Sequence, residues 1–278
     1  MPDFLRRAYD IQQPELASAL DEVSFWSSRF GAFLFKHLPL RPHLRILDLG
    51  CGTGFPSLEL AQVYGTSCMV TGIDIWKEAI LRAQAKQLAY QISNVELQVA
   101  DAARLPSADQ AYDLIVCHLG INNFDDPEAV LAECFRVTKP GATLVLTTNP
   151  TGHMREFYAL FREVLLDLEM PAYLERLDRN EAHRGTRVSL VGMLQGAGFG
   201  VTRVEEDTFD LRYLDGTALF HHVLTQVGFL DGWRQVVETE HQERVFTLLE
   251  TRLNQAAGTA GGLRMSVPML YLEAAKPD

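Results

Sequence analysis

Residues 46–54 constrain the fold of this chain more than any other segment. An apolar run reaches an acid, Asp48, and passes into alternating glycines, which are Gly50, Gly52 and Gly54. This pattern predicts a buried parallel strand followed by a turn where the backbone approaches a ligand closely, because glycine has no Cβ. Residues 55–64 suit a helix, so the turn indicates a nucleotide-like cofactor at the carboxyl end of the strand.

The spacing of the glycines narrows the choice of cofactor. The dinucleotide fingerprint is G-x-G-x-x-G, whereas this turn reads G-x-G-x-G, with Phe55 where the third glycine of the fingerprint would stand. This difference disfavours NAD and FAD. The Lys that a P-loop needs is missing after the glycines, and neighbouring residues offer no other cation for a phosphate. The turn therefore predicts a cofactor that carries adenosine but no phosphate.

The segment 46–54 also resembles motif I of the class I S-adenosylmethionine (SAM) dependent methyltransferases, whose signature is D-x-G-x-G-x-G. The later landmarks of that family follow in order, and the resemblance is close over residues 40–150. They are the second strand at 69–74, the third at 95–100 with Asp101-Ala102 after it, the fourth at 112–118, and a turn with the fifth strand at 136–148.

The resemblance implies a set of cofactor residues. In the family the acid that ends the second strand binds the ribose hydroxyls, and the acid after the third strand meets the adenine amino group; here these are Asp74 and Asp101. The alternative for each acid is a cap of the following helix or turn. The implied cofactor residues are Asp48, Gly50, Cys51, Gly52, Gly54, Asp74, Ile75, Asp101, Ala102 and His118.

Asp48 lies inside an apolar strand, where an unpaired carboxylate is costly. We expect its partners to be backbone N–H groups of the glycine turn, or the amino group of the cofactor through a water molecule. These structural and functional interpretations are compatible with each other.

Composition excludes several classes of function. The chain has 278 residues and a formal net charge of −11. Lys and Arg form no cluster, so we expect no nucleic-acid partner. The N-P-P-Y tetrad of DNA amino-methyltransferases is absent, and residues 118–121 stand in its place. The four cysteines, at 51, 68, 117 and 134, lack C-x-x-C spacing, so they predict buried thiols and no metal site.

Targeting and membrane signals are missing from the sequence. Residues 1–10 are charged and lack the apolar core of a signal peptide. An uncharged apolar stretch of about 18 residues, long enough to span a membrane, does not occur. We therefore expect a cytoplasmic protein.

Alternating strand and helix patterns from Leu44 to Thr148 predict an α/β fold with a parallel, doubly wound sheet. With a sixth strand at 201–211 and a seventh at 263–275, the family fold implies seven strands in the order 3-2-1-4-5-7-6, with strand 7 antiparallel. We expect an N-terminal helical cap (1–40), a SAM-binding core (41–212 and 263–278) and a helical insertion that caps the substrate (213–262).

Several helices are expected outside this alternation. Apolar periodicity predicts one helix over 16–38, two more at 154–168 and 188–197, and two in the insertion at 217–227 and 233–256. Pro268 lies inside the seventh strand and cannot donate to its ladder, so we expect a bulge or an unpaired position there.

Candidate catalytic residues are histidines, because His is the commonest group for proton transfer. His118 ends the fourth strand, and His221 and His222 lie on the insertion. A histidine on a helix is more often an ordinary surface or core residue than a catalytic base. Trp26, Phe30, Asn122 and Tyr213 are candidates for a substrate pocket. The aromatic residues among them also fit ordinary packing, and Asn122 also fits a turn.

The function predicted from the sequence is SN2 transfer of a methyl group from SAM to the oxygen, nitrogen or carbon of a small organic acceptor, leaving S-adenosylhomocysteine. The resemblance extends to the broad group of quinone-biosynthesis and natural-product methyltransferases. Alternatives are protein methylation, aminopropyl transfer, and a SAM-binding subunit without catalysis. The sequence does not indicate the oligomeric state.

Overall fold

The computed structural model describes residues 2–7, 9–10, 12–22 and 25–278, without the side chains of Glu22 and Phe25. The chain divides into two compact units. The sheet unit comprises Asp10–Thr148, Thr186–Glu206 and Met269–Asp278, and the helical unit comprises Asn149–Gly185, Asp207–Pro268 and the described part of Met1–Tyr9. The predicted division into cap, core and insertion concerns function, and it stays a prediction.

Seven strands and twelve α-helices are present in the described residues. The strands are β1 Arg45–Leu49, β2 Met69–Asp74, β3 Val95–Val99, β4 Tyr112–His118, β5 Thr138–Thr148, β6 Gly200–Tyr213 and β7 Leu263–Ala275. The helices are α1 Pro14–Glu22, α2 Phe25–His37, α3 Ser57–Tyr64, α4 Lys77–Ala89, α5 Pro127–Val137, α6 Arg155–Asp167, α7 Leu174–Ala182, α8 Arg187–Gly196, α9 Gly216–His221, α10 Val223–Gly228, α11 Leu230–Val236 and α12 Thr239–Ala260.

The strand order is 3-2-1-4-5-7-6, which confirms the predicted fold. β1 to β5 pair in parallel, and β7 pairs antiparallel with β5, from Leu270 opposite Thr148 to Ala275 opposite Thr143. Pro268 precedes these paired residues of β7, so its missing N–H removes no bond to β5. Because β1 and β4 are adjacent and their connections leave in opposite directions, their carboxyl ends form the crevice where such sheets bind ligands.

Helices α1 to α5 and α8 belong to the sheet unit. The prediction of one helix over 16–38 is replaced by α1 and α2, and residues 23 and 24 lie outside the described part of the chain. α1 contacts α4, where Asp21 pairs with Lys86 at 2.6 Å and Arg82 at 3.1 Å. The hydroxyl of Thr53, in the glycine turn, also donates to Asp21, so the first helix is attached to that turn.

The helical unit contains α6, α7 and α9 to α12. Its core is aromatic: Phe4 stacks on Phe220 with ring centroids 4.3 Å apart, and Phe157 stacks on Trp233 at 3.9 Å. The predicted single helices at 217–227 and 233–256 were wrong, because α9 and α10 cover the first range and α11 and α12 the second. His222 separates α9 from α10 with extended backbone, and its ring accepts from the N–H of Leu224.

One helix was missed by the sequence patterns. α7 is strongly polar, and its single buried residue is Leu177, so it lacks the apolar stripe by which helices are recognised. In the described ranges, no helix is both long and apolar enough to cross a membrane.

Candidate active site

A cavity of about 640 Å³ opens in the sheet unit at the carboxyl ends of β1, β2, β3 and β4. This volume is ordinary for a site that binds a small organic ligand. Predicted cofactor residues that line it are Gly50, Asp74, Ile75, Asp101, Ala102 and His118, whereas Asp48, Cys51, Gly52 and Gly54 do not.

The charged side chains that line the described cavity are acidic. Four carboxylates line it, from Asp74, Asp101, Asp125 and Asp126, and the described lining residues include neither Lys nor Arg. A phosphate would meet repulsion without a compensating cation, whereas a cationic ligand would be favoured.

The glycine turn is tied to β2 by its backbone. The N–H groups of Gly50 and Cys51 both donate to the carbonyl of Ile73 at 2.9 Å, and the N–H of Gly52 donates to Asp74 Oδ2 at 2.8 Å. Gly50 and Gly52 have φ of 72° and 50°, in the left-handed region that favours glycine.

Gly54 is required for packing. It has a φ of 99°, and a Cβ at this position would lie 2.9 Å from Leu58 Cδ1 and 3.0 Å from the Cβ of Ala83. This glycine therefore lets α4 approach the turn closely, and its predicted role in binding cofactor would be indirect.

Asp74 caps the turn before α4 and also lines the cavity, and its predicted role in ribose binding stays a prediction. Its Oδ1 accepts from the N–H of Trp76 at 2.8 Å, just before α4, while Oδ2 accepts from Gly52. Each carboxylate oxygen has a second lone-pair direction, so the half-buried group can still accept from hydroxyls in the cavity.

Asp101 and two apolar side chains line another part of the cavity. Asp101 is exposed, and its Oδ1 accepts from the N–H of Ala103 at 2.9 Å, so the turn-capping interpretation is correct and leaves the other oxygen available. Ile75, which is 77% exposed, and Phe124 contribute apolar surface to the lining.

Asp48 is fully buried in β1, and its partner differs from the prediction. Oδ2 accepts from the hydroxyl of Ser57 at 2.5 Å, whereas the turn N–H groups donate to Ile73 and Asp74, so the expected backbone partners were wrong. Within the described structure Oδ1 has no hydrogen-bond partner. Burial raises the pKa of Asp48 to about 7; the Ser57 hydrogen bond opposes this shift, and the charge of Asp74 adds to it.

His118 ends β4 with its ring buried in the cavity wall. Its Nδ1 lies 2.8 Å from Thr147 Oγ1, and the ring meets Phe55 edge-on at 5.4 Å between centroids. Nε2 makes no hydrogen bond of normal geometry within the described residues. Burial lowers the pKa of His118 to about 4, although the backbone of Ser27 opposes the shift.

None of the three predicted substrate residues of the sheet unit, Trp26, Phe30 and Asn122, lines the cavity. Trp26 packs on the fully buried Phe30 with ring centroids 5.2 Å apart, and neither lines the cavity. Asn122 donates to Thr148 Oγ1 at 2.7 Å, and its neighbour Asn123 lines the cavity instead.

The other predicted residues lie in the helical unit and interact with nearby backbone and rings. The ring Nδ1 of His221 hydrogen-bonds the carbonyl of Thr217 at 2.8 Å, and His222 accepts from Leu224. Tyr213 meets His222 edge-on at 5.5 Å. Their roles in proton transfer and substrate binding stay predictions.

Sequence reasoning missed Thr147, Phe55 and Ser27. Thr147 is the last but one residue of β5, and the rule that ligands bind at strand carboxyl ends would have selected it. Phe55 was noticed only as an interruption of the dinucleotide pattern. Ser27 lies on α2, outside any recognised motif, and its position depends on tertiary packing.

One group outside the cavity has potential metal ligands. Ligand atoms of Glu238, Glu240 and His241 lie within 4.8 Å of one another in the helical unit. Glu238 pairs with Arg176 at 3.4 Å, and His241 Nδ1 lies 2.6 Å from the hydroxyl of Tyr173. These contacts already occupy two of the three groups, and the expectation that the protein binds no metal stays a prediction.

Comparison with known proteins identifies the family of this chain. A family model described as a methyltransferase domain matches residues 40–178, half of the chain. The chain belongs to this family, and with the strand order and the glycine turn it is a class I SAM-dependent methyltransferase.

Two relatives of known name are similar to this chain. A demethylmenaquinone methyltransferase of Geobacillus sp. is 31% identical over 183 residues, covering 63% of this chain and 78% of that protein. A ubiquinone/menaquinone biosynthesis C-methyltransferase of Geotalea daltonii is 31% identical, covering 58% and 68%. A SAM-dependent methyltransferase from Aquifex aeolicus shares the fold, with a TM-score of 0.54 and 22% identity, over 71% of this chain and 92% of that one.

Proposed function

We propose that this enzyme methylates a small hydroxylated aromatic acceptor, with SAM bound in the cavity of the sheet unit. The single observation that carries the assignment of the site is the cavity beside the glycine turn, lined by four carboxylates without Lys or Arg among the described residues. SAM carries a sulfonium and an ammonium and no phosphate, so its charge matches this lining.

The residues at the cavity fit the parts of SAM. Asp74 has acceptor capacity left for the two ribose hydroxyls. Asp101, Ala102 and Ile75 offer a carboxylate and apolar surface to the adenine ring. Asp48 lies behind this lining, and its buried Oδ1 would act on the ammonium group by its charge or through a water molecule.

The acceptor class rests on the relatives and on the size of the cavity. The names of both relatives describe methylation in quinone biosynthesis. Phe55, Phe124 and His118 line the cavity and suit a flat ring.

Catalysis by this chain is then chiefly orientation of the acceptor and the cofactor. When bound, SAM supplies a methyl group whose bond to sulfur breaks, with its electron pair passing to sulfur, as an electron pair of the acceptor bonds to the methyl carbon. Asp74 and the glycine turn would hold the cofactor, and the rings of Phe55 and Phe124 would contact the acceptor. Orientation of this kind contributes on the order of 7–11 kcal/mol in well-aligned reactions.

Isothermal titration calorimetry tests the proposal. We expect SAM and S-adenosylhomocysteine to bind and NAD not to bind, and we expect labelled methyl to pass from SAM to a reduced naphthoquinone. The matched control is Glu96→Gln, which neutralises an exposed carboxylate on β3 outside the cavity lining. Binding of NAD in place of SAM would contradict the cofactor assignment, and SAM binding without methyl transfer would contradict the acceptor class.

A further inference from the structure

Gly31 stands at the middle of α2, where glycine is unfavourable. After proline, glycine is the poorest residue for the interior of a helix, because it loses the most backbone freedom there. The φ of Gly31 is outside the left-handed region, so its backbone conformation does not require glycine. The reason for a glycine at this buried position therefore has to be sought in packing.

The ring of Phe55 occupies the space that a side chain at this position would take. A Cβ on Gly31 would overlap Cζ of Phe55 and would lie 2.6 Å from its Cε1. Both distances are too short for carbon atoms that are not bonded to each other. The tip of the Phe55 ring therefore lies directly against the backbone of α2.

One face of α2 follows the wall of the cavity. Ser27, Gly31 and Phe35 are successive positions at i, i+4 and i+8, so they lie on the same face of the helix. Ser27 lines the cavity, and the ring of Phe35 lies 6.3 Å from that of Phe55. Phe55 itself lines the cavity and meets His118 edge-on. The ring of Phe55 thus stands between α2 and the open space of the cavity.

The backbone beside Phe55 and the helix that faces it are both fixed. The carbonyl of Gly54 accepts from the N–H of Leu58 at 2.8 Å, which holds the chain next to Phe55 at the start of α3. On α2, Phe30 and Leu34 are completely buried, so the helix has little room to move away. A larger residue in place of the glycine would therefore turn the ring of Phe55 toward the open space of the cavity.

We propose that Gly31 sets the width of the acceptor site, because it keeps the ring of Phe55 against α2 and so leaves room for an acceptor with two fused aromatic rings. This inference rests on the proposed function, and it specifies the size of the acceptor in that same site. Gly31 is the positioning residue, and Phe55 is the residue that touches the acceptor. With alanine in place of Gly31, the displaced ring would restrict the site to acceptors with a single ring.

Initial rates with two acceptors of different width test this inference. For Gly31→Ala we expect the KM for a reduced naphthoquinone to rise about tenfold or more, because a few extra atoms in a packed pocket have effects of this size. The KM for a reduced benzoquinone and the affinity for SAM should stay within about threefold. Equal losses with both acceptors, or a parallel loss of SAM affinity, would overturn the inference.

The matched control is Gly192→Ala. Gly192 is also a helical glycine of the sheet unit, on α8, but a Cβ added there meets nothing within 4 Å. This variant should leave both KM values unchanged. A rise in the KM for the reduced naphthoquinone in this control would mean that the effect at Gly31 is not caused by contact with Phe55.

A second substitution separates displacement of the ring from general damage to the fold. Phe55→Leu removes the atoms that a Cβ on residue 31 would meet, so the two changes should not be additive. In the double variant the KM for the reduced naphthoquinone should lie within about threefold of that in Phe55→Leu alone. Denaturant unfolding should also show the double variant folded, whether or not Gly31→Ala folds alone. A tenfold effect that persists in the double variant, or loss of its fold, would overturn the inference.

A crystal structure of Gly31→Ala, or of the wild type beside the double variant, locates the ring independently of activity. We expect the Phe55 ring of Gly31→Ala to be turned into the cavity, with α2 unmoved. A shift of α2 with the ring in its original place would overturn the inference. Inactivity of the wild type with both acceptors would remove the proposed acceptor class, while this structure would still decide what Gly31 does to Phe55.

Discussion

The two units each bury a neutral histidine against a phenylalanine, but they hold it differently. In the sheet unit, His118 lies at a strand end, edge-on to Phe55 and bonded to Thr147. In the helical unit, His153 precedes α6, with its ring 5.0 Å from that of Phe229. Burial lowers the pKa of His153 well below its ordinary value, and the charge of Arg184 adds to the shift.

The comparison shows two ways of placing polar groups in an apolar interior. In the sheet unit Asp74 and His118 stand at strand ends, where the topology brings them to one cavity. In the helical unit Arg184 lies 5.4 Å over the ring of Phe229, and Thr225 and Gln226 bury oxygens without partners in the described structure. Thr225 and Gln226 lie on α10 and Arg184 lies between α7 and α8, so only tertiary packing shows what surrounds them.

Removing the carboxylate of Asp74 should give the largest effect on the sheet unit. Asp74→Ala loses both backbone hydrogen bonds to the carboxylate and the acceptors proposed for ribose, so SAM affinity should fall about a hundredfold. Calorimetry measures this change, with Glu96→Gln as control. Affinity within threefold of the parent would remove Asp74 from the site.

Gly54→Ala should chiefly affect stability. The added Cβ would crowd Leu58 and Ala83 at a positive φ, so we expect the free energy of unfolding to fall by about 2–4 kcal/mol. Gly52→Ala is the matched control, because its Cβ meets nothing within 4 Å and only the φ of 50° opposes it. Denaturant unfolding should show the smaller loss, about 1–2 kcal/mol, for Gly52→Ala. Equal losses would mean that packing at Gly54 is not the cause.

Asp48 should make SAM affinity depend on pH. Its pKa of about 7 in the folded protein exceeds the ordinary 3.8, so its contribution to stability is full below pH 3.8 and is lost as the pH rises through 7. A cationic ligand favours the ionised form, so affinity should rise about tenfold from pH 6 to pH 8. Calorimetry on Asp48→Asn should show this dependence abolished. An unchanged slope in the variant would assign the titration to another group.

The smallest effect is expected in the helical unit. Arg184→Met removes a guanidinium whose pKa burial lowers, and Arg184 does not line the cavity. SAM affinity should stay within about twofold, and thermal unfolding should show a small change of either sign, because a buried charge and an apolar replacement are often close in stability. A tenfold loss of SAM affinity would contradict the assignment of cofactor binding to the sheet unit alone.

The sequence predicted the parts of the fold that depend on local pattern. β2, β4 and β7 have the predicted bounds, and Gly50, Asp74 and Asp101 meet at one cavity because strand ends in a parallel sheet converge. Ser57 as the partner of Asp48 was not foreseen, since a hydroxyl in a helix gives no sign of the strand it faces. The break at His222 escaped prediction for a similar reason: one extended residue does not disturb the apolar periodicity of 217–227.

A crystal structure with S-adenosylhomocysteine tests the central claim most directly. The account predicts the ligand in the cavity of the sheet unit, with both ribose hydroxyls within hydrogen-bond distance of Asp74, the adenine beside Asp101, and the sulfur on the side of His118. Ligand density at another place, or adenine and ribose in exchanged positions, would contradict it.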